Sequence, residues 1–119
     1  MVSFSLVIFG VTSNLAKIKL LPAIENLFAK KLISANTQII GVSRQKFKHS
    51  KIIHVQGDIN DLGIYQKIRE KINSKIIVFY LATYPTLYPT IFENMKRSGL
   101  SGRLMIEKPF GENLATAKA

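Results

Sequence analysis

"VIFGVTSNLAKIKLLP", residues 7–22, decides how this chain is read. An apolar run ends in Gly10, small residues follow, and a helical pattern opens behind them. Strand, turn and helix in that order bring free backbone N–H groups and a helix N-terminus to one point, where a phosphate is favoured. The spelling is incomplete. Gly10 is the one glycine of the turn, and Ser13 stands where a glycine-rich fingerprint lets the backbone approach phosphate. A serine takes up space there, although its hydroxyl and N–H still donate. Taken alone, the turn reads equally well as a phosphate cradle and as a plain strand–helix connection.

Working outward, apolar runs alternate with amphipathic stretches. The runs are "FSLVIF" at 4–9, "QIIGVS" at 38–43, "KIIHV" at 51–55, "KIIVFYLA" at 75–82 and "RLMIE" at 103–107. The fourth is apolar almost without interruption, which predicts a strand covered on both faces. Between them, Leu20, Ile24, Leu27 and Phe28 recur at helix spacing, with Lys17, Glu25 and Lys31 off the stripe. Pro22 lies inside that pattern and predicts either a kink or a restart with the proline in a first turn. Asp61 can cap a helix whose inner face is Leu62, Tyr65, Ile68 and Ile72. Leu87, Ile91, Phe92 and Met95 form the next stripe, stopped by Gly99. Residues 112–119 begin a further helical pattern.

The expected fold class is therefore α/β: a Rossmann-like, doubly wound, mostly parallel sheet with helices on both faces. One crossover helix is missing. About eight residues separate "GVS" from "IIHV", fewer than a parallel crossover usually takes. Extended chain of that length reaches roughly 26 Å, enough to return along a five-residue strand of about 17 Å. A bare loop can make the join.

The chain of 119 residues is long enough for one core, with 47% hydrophobic and 20% charged residues. It contains no cysteine, which removes disulfides, thiolate catalysis and zinc–thiolate sites together and suits a reducing, cytoplasmic setting. The N-terminus lacks the basic start and cleavage site of a secretory leader, and no apolar run is long enough to span a membrane. The net charge is +10, but the lysines are scattered and only "RQKFKHSK", residues 44–51, forms a cluster. Solvated lysines explain this better than a nucleic-acid surface, for which no motif is present, so neither nucleic acid nor a membrane is an expected partner.

Arg44 follows the second run, with no carboxylate beside it in "GVSRQ". An acidic residue at this point holds the ribose 2′-hydroxyl of NAD, whereas an arginine accommodates the 2′-phosphate of NADP. By itself Arg44 is also an ordinary surface arginine at a strand end.

These segments, with "IIGVSR", "HVQGDINDLGIYQKI", "FYLATYPTLYPTIFENMKRSGL" and "RLMIEKPFGENLATAKA", resemble in order the N-terminal NADP-binding domain of the glucose-6-phosphate dehydrogenase family. The resemblance covers nearly the whole chain and implies a single dinucleotide-binding domain over residues 1–119. It implies NADP as cofactor and a place in the oxidation of glucose 6-phosphate to 6-phosphogluconolactone, in the pentose phosphate pathway. Gly10 resembles the first glycine of the family's turn, and Leu15 and Ala16 match its end, with Thr12 between. Ser13 and Asn14 depart from its second glycine and its aspartate, which predicts weaker cofactor affinity. Arg44 falls on the 2′-phosphate arginine. Ala82 and Pro85 fall on the segment lining the nicotinamide side, where Tyr84 replaces a usual proline. Lys108, before Pro109, falls on the lysine that contacts the sugar phosphate. The family's histidine block, in a second domain, has no counterpart here, and His49 and His54 read as structural or solvated. The expectation is a cofactor-binding half, inactive alone, with a separate catalytic domain needed to handle glucose 6-phosphate. The alternatives are a non-catalytic nucleotide-binding or interaction module, and a decayed remnant whose apolar surfaces self-associate.

Overall fold

The computed structural model describes residues 3–106. Five strands, β1 (Ser5–Phe9), β2 (Gln38–Ser43), β3 (Ile52–Gln56), β4 (Ile77–Leu81) and β5 (Arg103–Ile106), form one parallel sheet in the order β3-β2-β1-β4-β5. Three α-helices accompany them: α1 (Leu21–Ala29), α2 (Leu62–Lys71) and α3 (Tyr88–Ser98). Strand order reverses between β1 and β4, which places a crevice at their carboxyl ends.

The alternation of side chains along each strand builds two cores. Val7, Phe9, Ile40, Val42, Phe79 and Leu81 face α2 and α3, packing on Ile64, Tyr65, Ile68, Ile91 and Met95. Leu6, Ile8, Ile39, Ile52 and Tyr80 face the other way, with Val11, Ala16 and Ile24. All five residues of β1 are buried, as expected for the central strand. Phe9 anchors the first core, its ring 5.8 Å from Tyr65 and 6.2 Å from Phe79. Burying such a side chain contributes roughly 1.5–3 kcal/mol.

Pro22 restarts the first helix. Ala16–Leu20 form a π turn, closed by the Leu21 N–H donating to the Ala16 carbonyl, and Pro22 lies in the first turn of α1. A proline removes the donor to the carbonyl four residues back and its ring collides with it, so the wider turn relieves both problems. α1 is closed behind its C-cap Lys30 by Lys31 with φ 57, while Leu32 N donates to Leu27 O at 2.9 Å. Asp61 caps α2, its Oδ1 accepting from Gly63 N at 2.9 Å. Gly99 stops α3 at φ 76, and Arg69 of α2 donates to the Ser98 carbonyl at 3.0 Å. The α3 stripe is narrower than its spacing predicts: Ile91 and Met95 are buried, but Phe92 is 37% exposed.

No helix joins β2 to β3. Instead Phe47 of the connection packs on the α1-side core, stacked on His49 at 6.3 Å and edge-on to His54 at 5.9 Å. His49 Nε2 lies 2.9 Å from Glu25 Oε2, tying the loop to α1. A plug of one ring thus covers ground that a crossover helix otherwise fills. β5, an edge of the sheet among the described residues, departs from the buried-strand pattern: Leu104, Met105 and Ile106 are each 43–50% exposed. No helix among the described residues is long and apolar enough to cross a membrane. Lys108, Pro109 and the helical pattern at 112–119 lie outside the described residues.

Candidate dinucleotide-binding cleft

At the end of β1 the chain turns sharply. Gly10 has φ +88, and a Cβ there would stand 2.7 Å from the Ala82 carbonyl oxygen and 2.9 Å from Thr83 Cγ2. Only glycine takes both the conformation and the space without strain. The N–H groups of Gly10 and Val11 both donate to the Val42 carbonyl, at 2.9 and 3.1 Å, so the turn hangs from the end of β2. Ser13 N then donates to Gly10 O at 2.9 Å, and Ser13 Oγ accepts from Ala16 N at 3.2 Å. Ser13 is therefore the cap of the first helix as well as a bulkier stand-in for glycine. Helical residues begin at Asn14, and the N–H groups of Asn14 and Leu15 lie in a first turn with no intrahelical acceptor.

The second wall is the end of β2. Gly57 N donates to Ser43 O at 2.9 Å, and Gln56 Nε2 donates to Arg44 O at 3.1 Å. Ser43 Oγ donates its one hydrogen to Gln45 O at 2.7 Å, so at 2.8 Å it accepts from His54 Nε2–H. Burial holds the His54 pKa below its ordinary value, so the ring stays neutral in this role. The backbone around Arg44 is thus pinned from several sides. Its guanidinium is exposed and has no carboxylate partner among the described residues.

"GDIN", residues 57–60, makes the floor between these walls. Asp58 Oδ1 accepts from Asn60 N at 2.9 Å and Nδ2 at 3.0 Å, shaping a tight turn. The Ile59 carbonyl accepts from Tyr65 Oη at 2.7 Å and from Asn94 Nδ2 at 2.9 Å. Burial pushes the Tyr65 phenol up to about 12, keeping it a donor. The third wall follows β4. Ala82 N donates to Phe9 O at 2.9 Å, and Pro85–Leu87 form a short 3-10 turn.

The result is one cleft of about 750 Å³. Every cofactor-site candidate within the described residues lines it: Gly10, Thr12, Ser13, Asn14, Leu15, Arg44, Ala82 and Pro85. Gly57, Asp58, Ile59 and Asn60 line it too and were not singled out in the sequence, although "GD" directly after a strand places them at the same sheet end. Neither histidine lines it: His54 is engaged with Ser43, and His49 with Glu25.

A parallel sheet, a glycine turn at its switch point and a helix N-terminus opening on that cleft define a dinucleotide-binding domain of the Rossmann class. Residues 7–58 and 49–119 match the family model described as glucose-6-phosphate dehydrogenase, NAD binding domain, and the chain belongs to that family. The two matched segments overlap over residues 49–58, which hold the end of the β2–β3 connection and β3 itself. A glucose-6-phosphate 1-dehydrogenase of Borreliella burgdorferi is 34% identical over 146 residues, spanning 98% of this chain and 30% of the relative. The crystal structure of the Mycobacterium avium glucose-6-phosphate 1-dehydrogenase superposes with a TM-score of 0.77 at 28% identity, over 98% of this chain and 32% of that one. A glucose-6-phosphate dehydrogenase in complex with its substrate glucose-6-phosphate shares the fold, with a TM-score of 0.72 at 22% identity, over 98% and 32%. The chain thus spans about a third of the length of these relatives.

Proposed function

We propose that residues 1–119 form one domain, the NADP-binding half of a glucose-6-phosphate dehydrogenase, and that these residues alone do not turn over the sugar phosphate. The observation that carries the reading is Arg44, whose exposed guanidinium, without a carboxylate partner among the described residues, stands at the end of β2 where the ribose 2′ position of a dinucleotide falls. Arginine suits a phosphate there, since its fork pairs with phosphate oxygens and no carboxylate among the described residues is paired with it. Gly10 lets the turn pack against Ala82, where a Cβ would meet the carbonyl oxygen, and the N–H groups of Asn14 and Leu15 suit a pyrophosphate. NADP, when bound, supplies the hydride acceptor. Thr12 and Ser13 border its pyrophosphate, and Ala82 and Pro85 border its nicotinamide end.

Oxidising a sugar hydroxyl also needs a general base within reach of its proton. Neither histidine serves, because each is committed away from the cleft. Substrate chemistry then requires a catalytic domain beside this one, with Lys108 reaching the sugar phosphate, in a cytoplasmic setting and without nucleic acid. A second reading, a non-catalytic module that associates through β5, is favoured by the exposed Leu104, Met105 and Ile106.

Calorimetric titration of the purified chain with NADP, NAD and 2′,5′-ADP tests the proposal, together with an assay for NADPH formation from glucose 6-phosphate. The expected result is binding of NADP and 2′,5′-ADP well ahead of NAD, with no turnover. Equal affinity for NAD and NADP, or robust turnover, overturns it.

A further inference from the structure

We infer that Tyr84 is an aromatic shelf for the nicotinamide ring, an inference that rests on the NADP reading above. A dinucleotide whose 2′-phosphate meets Arg44 after β2, and whose pyrophosphate meets the turn after β1, must carry its nicotinamide half toward β4. Tyr84 lines the cleft at that end. Its backbone is tightly determined: φ −64 and ψ 141, with Pro85 next in the chain, and its carbonyl accepting from Leu87 N at 2.9 Å. Its ring is free. At 79% exposure it is the most exposed large hydrophobic side chain among the described residues. It has no aromatic neighbour among the described residues, whereas Tyr88 packs on Phe92 at 6.1 Å.

A rigid backbone that holds an uncovered ring on a cleft wall is preorganised to cover something flat. The oxidised nicotinamide ring is flat and cationic, and a tyrosine face attracts both properties. The reduced ring has lost its charge, so the shelf favours the oxidised cofactor.

The chain contains no tryptophan, so Tyr84→Trp installs a single reporter at this position. Wild type, Tyr84→Ala, Tyr84→Phe and Tyr84→Trp are titrated with NADP and with 2′,5′-ADP, which lacks the nicotinamide half. Tyr84→Ala is expected to weaken NADP roughly fivefold while leaving 2′,5′-ADP unchanged, and Tyr84→Phe to retain wild-type affinity. In Tyr84→Trp, NADP quenches the tryptophan emission and 2′,5′-ADP does not. Unchanged or tighter NADP binding by Tyr84→Ala, with 2′,5′-ADP intact, overturns the shelf alone. Failure of 2′,5′-ADP to bind the wild-type chain overturns the NADP reading, and the shelf with it.

Discussion

Gly10 and Ala82 pack so closely that a Cβ on residue 10 would stand 2.7 Å from the Ala82 carbonyl oxygen. The contact joins the ends of β1 and β4 at the switch point, where the cleft opens. Gly10→Ala meets that oxygen and is strained at φ +88 as well. Stability is expected to fall by roughly 2 kcal/mol, read as a lower urea midpoint, and NADP binding to weaken with it. An unchanged midpoint shows that the turn is looser than the geometry requires.

Ser13 has two opposed effects. Its Oγ caps Ala16 N at 3.2 Å, yet it adds bulk where phosphate approaches. Ser13→Ala should cost about 1 kcal/mol of stability, and Ser13→Gly only a few tenths. Ser13→Gly should also bind NADP more tightly than wild type. If calorimetry finds no gain, crowding by Ser13 does not limit affinity.

Much of this was legible in the sequence, for physical reasons. "KIIVFYLA" reads as a strand because parallel strands are buried on both faces, and Asp61 and Gly99 announce helix ends through their own backbone chemistry. The short interval between "GVS" and "IIHV" showed the missing helix by length alone. Less accessible were contacts made across the fold. Nothing local to Phe47 says that its ring plugs the sheet, and nothing local to Ile59 says that Tyr65 and Asn94 both hold its carbonyl. The π turn was hidden because Pro22 permits several ways around its missing donor. The edge position of β5 follows from strand order, which periodicity does not carry.

His54 makes stability depend on pH. Burial lowers its pKa in the folded state, while the unfolded ring titrates near the ordinary 6.5. The unfolded state therefore binds the proton first, so the contribution is complete above about 6.5 and is lost as pH falls through the lowered folded value. Thermal melts should show Tm falling between about pH 7 and pH 5, with a shallower fall in His54→Gln. Equal slopes in the two proteins remove His54 as the cause.

Lys31 holds φ 57 after the last turn of α1, a conformation that costs a side-chain-bearing residue energy and glycine little. Lys31→Gly should stabilise the fold by about 0.5–1 kcal/mol, measured by urea unfolding with an unchanged m-value. Destabilisation would mean that the lysine stem packs on something worth more than the strain.

On the proposed function, the cleft takes a 2′-phosphorylated dinucleotide and Arg44 reads the phosphate. The most direct measurement is the pair of dissociation constants for NADP and NAD in wild type and Arg44→Ala. Loss of charge-assisted hydrogen bonds worth about 1.5–3 kcal/mol predicts a roughly 10- to 100-fold weaker NADP complex. NAD affinity should stay where it was, so that the preference for NADP disappears. NADP binding that survives Arg44→Ala, or falls only in step with NAD, contradicts the account.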